Sequence, residues 1–117
     1  MRRHHAAVAS WSDSLRFAFQ PVVSLATGAV TALEVLARPE TGDVLAEACR
    51  DPEVDSRVAV LAFGSAVRRE RMLPLHVNVF AGTLADLGGL GPLHDAVRAA
   101  GRSPCEVTLD IVPPYSP

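Results

Sequence analysis

The segment "GAVTALEVLARP" (residues 28–39) is apolar apart from one threonine and two charged side chains, Glu34 and Arg38. A run of this composition is typical of a buried β-strand. A carboxylate without a partner is costly to bury. The two charges are a poor ion pair, because residues four apart in a strand are separated by about 13 Å along it. Glu34 is therefore predicted to bind a group from elsewhere in the structure or from a ligand.

A second strand is predicted just before this segment. The run "RFAFQPVVSL" (16–25) is rich in Phe and Val, which favour strands, and Pro21 favours an edge strand or a strand end. The connection "ATGA" (26–29) is a short Thr-Gly turn. The two strands are therefore predicted to form an antiparallel hairpin.

The remaining chain alternates between helical and extended patterns. The patterns predict a helix from near Asp43 that Pro52 interrupts, a helix over 54–71, a strand over 73–80, a helix over 92–100 capped by Gly101, and a strand over 105–114. This order predicts an α/β fold in which the later strands are parallel and joined by crossover helices. The apolar strands predict a sheet that is buried on both faces, as in a barrel.

Composition limits the class of protein. The chain has 117 residues, 49% hydrophobic and 21% charged, which predicts one globular domain after a flexible segment at residues 1–13. Its net charge of −2 gives no electrostatic case for binding nucleic acid or a membrane. The sequence contains no apolar run of about 18 residues, and its N-terminal segment is not predicted to be a signal peptide. Cys49 and Cys105 match no metal spacing and are predicted to be reduced thiols of a cytoplasmic protein.

Polar side chains interrupt the predicted strands, most of them towards the carboxyl end. Glu34, Asn78 and Asp110 are hard oxygen donors, which suit Mg²⁺, Mn²⁺ or Ca²⁺ better than zinc. Arg38 adds a planar guanidinium that matches a phosphate. The pattern suggests metal-assisted chemistry on a phosphate ester, or binding of one. Spacing alone leaves open that each residue is a hydrogen-bonded strand-end group. His76 is predicted on the outer face, and Asp55 as a helix cap or surface residue.

Four motifs, in order over residues 14–112, resemble the EAL domain family of cyclic di-GMP phosphodiesterases. They are "FAFQPVVSLATGAV" with its Gln-Pro pair, "ALEVLAR" as the Glu-Ala-Leu-x-Arg signature, "LHVNVFAGTL" and "VTLDIVPP". The resemblance implies a TIM barrel whose first strand is antiparallel to the others. It implies Glu34, Asn78 and Asp110 as ligands of Mg²⁺ or Mn²⁺, and Gln20 and Arg38 as contacts of the nucleotide. It also implies hydrolysis of cyclic di-GMP to pGpG.

The sequence departs from the family pattern at several positions. Val35 replaces the alanine of the signature, Asp110 replaces a glutamate ligand, and Val112 and Pro113 replace the last Thr-Glu pair. A full barrel needs about 250 residues, and the family's later Asp-Asp pair and catalytic lysine are absent from these 117 residues. Residues 14–117 are therefore predicted to form the N-terminal half of the barrel, a truncated EAL-like domain.

These departures predict a degenerate module that acts in bacterial cyclic di-GMP signalling by binding the nucleotide or a protein, without catalysis. One alternative is a metal-dependent phosphodiesterase that is active only when assembled from several chains. Another is a non-functional gene remnant. Unpaired strand edges also predict a homo-oligomer, or a complex with another EAL-type or regulatory protein.

Overall fold

One four-stranded sheet organises the protein, with the strands in the order β1-β2-β3-β4. The computed structural model describes residues 15–39, 43–86 and 90–113, so the predicted flexible segment 1–13 lies outside it. In chain order the elements are β1 (Leu15–Val23), β2 (Val30–Pro39), α1 (Asp43–Arg50), α2 (Pro52–Arg69), β3 (Leu75–Phe80), α3 (Ala81–Ala85), α4 (Gly91–Ala99), a 3₁₀ turn (Pro104–Glu106) and β4 (Val107–Val112).

Strands β1 and β2 form the predicted antiparallel hairpin, and β2, β3 and β4 run parallel to one another. The hairpin turn is closed by two backbone hydrogen bonds of 2.8 Å between Ser24 and the segment Gly28–Ala29. Gly28 has φ of 74°, a conformation that glycine adopts without steric cost. Pro21 lies in β1, which is an edge strand, as its missing N–H requires.

The long helix α2 begins two residues earlier than the sequence pattern predicted. The helix that begins at Asp43 ends at Arg50, before Pro52, as predicted, and Pro52 occupies the first turn of α2. The Asp51 carboxylate accepts a hydrogen bond from the Glu53 N–H at 3.0 Å. Proline suits this place because its missing N–H would have no helical partner there. Gly101 ends α4 as predicted, with φ of 75° and the paired hydrogen bonds of a Schellman motif.

The helices pack against one face of the sheet, which we call the helix-covered face. It carries the odd-numbered side chains of the strands, and Val35, Leu75, Val77 and Val79 bury there against Phe63 and its neighbours on α2 and against Leu93 and Val97 on α4. A second cluster joins Leu15 to residues of α1 and α2. No helix in the described ranges is long and apolar enough to cross a membrane.

The opposite face of the sheet carries the even-numbered side chains, and we call it the open face. Its polar members are Arg16, Gln20, Glu34, Arg38, His76, Asn78, Thr108 and Asp110, and none of these belongs to either core cluster. The prediction of a sheet buried on both faces is therefore wrong for the described residues. The polar residues of the strands concentrate at these even positions, although apolar residues such as Leu36 and Phe80 share them, so the pattern matches a sheet whose helices cover one side.

Candidate functional site

Strand register sets the polar side chains of the open face at different levels. Gln20 lies opposite Glu34, and Glu34 lies beside His76 on β3. One step closer to the carboxyl end of the parallel strands, Asn78 lies beside Asp110. Side chains on neighbouring strands at one level are close enough to share a ligand.

A cavity of about 390 Å³ opens between β2 and β3. These strands are paired only from Leu33↔Leu75 to Val35↔Val77, whereas β3 and β4 are paired along their whole length. Strand residues Glu34 and Asn78 line the cavity, together with apolar side chains of α1 and α2. The site therefore lies towards the carboxyl ends of the parallel strands, where α/β proteins bind their ligands.

The two polar residues of β2 and β3 in this cavity are available to a ligand. Glu34 is half-buried, and its carboxylate has no hydrogen bond or ion pair with another described residue. The Asn78 side-chain nitrogen lies 3.5 Å from the Val35 carbonyl, to which it donates at the limit of a hydrogen bond. Its amide oxygen is then the atom that remains for a ligand. Glu34 and Asn78 thus line the same cavity.

Asp110, the third predicted metal ligand, contacts histidine instead. His76 Nδ1 lies 3.1 Å from Asp110 Oδ2. The contact is diagonal, because Asp110 is paired with Asn78 and reaches back to the level of Glu34. The prediction of His76 on the outer face is wrong: positions 76 and 78 have the same parity in β3, so both side chains lie on the open face.

The described residues do not form a complete set of ligands for Mg²⁺ or Mn²⁺. Asp110 does not line the cavity that holds Glu34 and Asn78. In the described part of the chain, no three His, Cys, Asp or Glu residues lie close enough to hold a metal ion. Magnesium needs six oxygen ligands in an octahedron, and two protein oxygens leave most of them to be supplied from elsewhere.

Asp55 is the residue that the sequence interpretation most underestimated. It is only 3% exposed, and the cap of α2 is Asp51. Asp55 Oδ2 accepts hydrogen bonds from the Phe80 N–H at 2.8 Å and from Thr83 Oγ1 at 2.6 Å. Burial raises the pKa of Asp55 above its ordinary value, although both hydrogen bonds act against this. Asp55 thus fixes the junction between β3 and α3, two residues after Asn78, and it lines the same cavity.

The helical spacing contained a signal for this role of Asp55. Val58 and Ala59 follow it by three and four residues and are buried, so Asp55 belongs to the apolar stripe of α2. A carboxylate on such a stripe needs buried donors.

The two predicted nucleotide contacts, Gln20 and Arg38, are exposed on the open face. Arg38 lies opposite Arg16, at the level where β2 ends. The structure therefore places all five predicted site residues on one face. It brings Glu34 and Asn78 to one cavity, and it leaves Asp110 bound to His76.

Comparison with known proteins identifies the fold. No protein-family model matches the chain, and no curated protein matches it. BlrP1 from Klebsiella pneumoniae, solved with FMN and cyclic di-GMP and no metal ions, matches with a TM-score of 0.68 and 26% identity, over 84% of this chain and 28% of BlrP1. The FimX EAL domain from Pseudomonas aeruginosa, bound to cyclic di-GMP, matches with a TM-score of 0.66 and 23% identity, over 92% of this chain and 48% of that chain.

The chain thus spans less than half the length of each of these structures. The match includes the mixed sheet, with β1 antiparallel and the other strands parallel, which confirms the predicted α/β architecture. The fold of this chain is therefore similar to part of an EAL domain, and the similarity covers most of the chain.

Proposed function

We propose that this chain is a cyclic di-GMP-binding module that does not hydrolyse the nucleotide. The observation that carries the proposal is the pair Glu34 and Asn78, two residues with acceptor oxygens that line one cavity towards the carboxyl ends of the strands. Two structures with the same fold, BlrP1 and the FimX EAL domain, hold cyclic di-GMP. The free thiols Cys49 and Cys105 are consistent with a reducing compartment, and we propose the cytoplasm.

The side chains of the open face match the chemistry of a cyclic dinucleotide. The Arg38 guanidinium can donate two parallel hydrogen bonds to a phosphate. Gln20 and Asn78 carry amides, which both donate and accept and so suit base edges and ribose hydroxyls. Glu34 accepts only, so it suits the N–H groups of a guanine or a hydroxyl.

The proposed lack of hydrolysis rests on the incomplete metal set. Two-metal hydrolysis needs both ions held firmly on either side of the scissile phosphate. In this chain Asp110 is engaged by His76, and only Glu34 and Asn78 share the cavity. No step through a metal ion is assigned to these residues.

Calorimetric titration with cyclic di-GMP tests the proposal directly. Binding is expected both in EDTA and in Mg²⁺ or Mn²⁺, and Glu34→Ala is expected to weaken it about tenfold through the lost hydrogen bonds of a charged acceptor. Asp95→Ala, at an exposed position on α4, is the matched control. No pGpG is expected under single-turnover conditions with Mn²⁺. Turnover that disappears in the Glu34→Ala variant would show that the chain is an enzyme.

A second candidate is a phosphodiesterase assembled from several chains, and the exposed edge at β4 favours it. Strand β4 is the last strand of the described sheet, and its Ile111 is 57% exposed. Beside it lies an apolar groove of about 160 Å³ between α4 and β4. Unpaired edges and bare apolar surface favour association, with another copy or with an EAL-type or regulatory partner.

Association is expected in sedimentation velocity at micromolar concentration. Ile111→Lys should shift the population towards the monomer, because it places a charge on the exposed end of β4. Leu25→Lys, at a fully exposed position of the hairpin turn, is the control and should leave the distribution unchanged. A monodisperse monomer of the unmodified chain would contradict association, and with it the assembled enzyme.

A further inference from the structure

Arg16 lies directly opposite Arg38 in the antiparallel pair of β1 and β2. Both residues have even parity and project to the open face, the same side as Gln20 and Glu34. Both are exposed. Two arginine side chains therefore leave neighbouring positions at the rim of the sheet where the parallel strands end.

Like charges directly opposite each other destabilise an antiparallel pair. Neither arginine forms an ion pair with a carboxylate of the described residues, whose ion pairs involve other basic side chains. Among the described residues no carboxylate offsets this repulsion, and an anion placed between the two groups would reverse the sign of their interaction. Two neighbouring arginines without a carboxylate partner among the described residues are typical of an anion-binding site.

We propose that Arg16 and Arg38 together bind the phosphodiester groups of the nucleotide. Opposed side chains of an antiparallel pair have Cβ atoms about 5 Å apart, so two arginines there can grip one phosphate from two sides. Each planar guanidinium offers two parallel N–H groups that match two phosphate oxygens. The EAL resemblance assigns a phosphate contact to Arg38 alone, and Arg16 lies before the Gln-Pro motif.

The reversed direction of β1 explains why Arg16 reaches this place. A parallel first strand would leave its opening residue at the amino ends of its neighbours, far from the ligand rim. Because β1 is antiparallel, its second residue lies beside Arg38, the penultimate residue of β2. The inference rests on the proposed binding of cyclic di-GMP, and its test separates the two.

Titration of cyclic di-GMP into Arg16→Ala, Arg38→Ala and the unmodified chain tests the pair. Each single variant is expected to bind at least about tenfold more weakly, the loss typical of a charged hydrogen bond. Arg16→Lys keeps the positive charge but loses the planar guanidinium, so its affinity should lie between that of Arg16→Ala and that of the unmodified chain. Arg68→Ala, with the same charge change on α2 behind the helix-covered face, should bind like the unmodified chain.

Thermal unfolding distinguishes a ligand contact from a structural role. Because Arg16→Ala removes a like-charge opposition, its melting temperature should be unchanged or higher while its affinity falls. If this variant fails to fold, Arg16→Gln carries the same test.

Inorganic pyrophosphate serves as a second probe in the same titrations. Equal cyclic di-GMP affinity in Arg16→Ala and the unmodified chain would overturn the inference and leave the proposed function intact. If the chain binds pyrophosphate in a way that depends on Arg16 but does not bind cyclic di-GMP, the two arginines bind anions and the proposed function is rejected. Binding of neither ligand by the unmodified chain would reject both.

Discussion

Replacing Asp55 by alanine is expected to lower the free energy of unfolding by about 3 kcal/mol. The substitution leaves two donors without an acceptor, the Phe80 N–H and the hydroxyl of Thr83. Thr83 is 1% exposed, so water cannot readily replace the carboxylate there. Each unsatisfied buried donor costs about 1–3 kcal/mol, which outweighs the relief of a desolvated charge. Chemical denaturation of both chains measures the difference.

Asp55→Asn is the matched control, because the amide oxygen can still accept both hydrogen bonds. It should retain most of the stability that alanine loses. An alanine variant as stable as the asparagine variant would show that the two hydrogen bonds contribute nothing.

The same pair of chains tests the pH dependence. The pKa of Asp55 is raised above its ordinary value of 3.8, mainly because burial disfavours the charged form. Between the ordinary and the raised pKa, the folded chain holds more protons than the unfolded chain, so this carboxyl makes folding less favourable as pH rises. Relative to Asp55→Asn, the unmodified chain should therefore lose stability as pH rises through this window. A constant difference from pH 4 upward would contradict the raised pKa.

Arg102→Ala is expected to cost about 3 kcal/mol, the upper range for hydrogen bonds that involve a charge. The Arg102 side chain is 8% exposed. Its terminal nitrogens donate to the carbonyls of Leu73 at 2.8 Å and Glu70 at 3.3 Å, and Nε lies 3.5 Å from Glu106 Oε2. These contacts tie the segment after α4 to the segment that leads into β3, so their loss should loosen the base of the strand that carries Asn78.

Arg98→Ala is the control for this substitution, because Arg98 is an exposed arginine in the last turn of α4. It should change the free energy of unfolding by less than about 0.5 kcal/mol. Arg102→Lys should recover part of the loss, since an ammonium cannot reach both carbonyls with the geometry of a planar guanidinium. Equal stability of the Arg98 and Arg102 alanine variants would refute the structural role of Arg102.

The hairpin and the order of the elements were predictable because they depend on local signals. The Thr-Gly turn, the alternation in "VTALEVLARP" and the glycine after α4 each act within a few residues. The boundaries of α2 were predicted two residues late, because Pro52 was interpreted only as the break after α1 and not also as a first-turn residue of α2. The carboxylate in β2 predicted a site at Glu34, which lines the cavity beside β3, and its role there stays a prediction.

The missed features all depend on contacts between distant parts of the chain. His76 and Asp110 are 34 residues apart, and Asp55 and Thr83 are 28 apart. Spacing within one strand cannot show that a neighbouring strand offers a histidine to the predicted ligand. The opposition of Arg16 and Arg38 likewise follows from the register of the hairpin, which the motif around Gln20 does not specify.

The reversed first strand also decides where the polypeptide enters the sheet. In an all-parallel barrel the chain enters the sheet at the end opposite the ligand-binding end. A force on the preceding polypeptide must then pass along the whole sheet before it reaches the ligand-binding end. Here the chain arrives at Leu15, next to Arg16, on the rim where the other strands end. A conformational change or force transmitted along the preceding polypeptide would therefore act on Arg16 first. A fluorescent dye attached just before Leu15 would report conformational changes at this rim of the sheet.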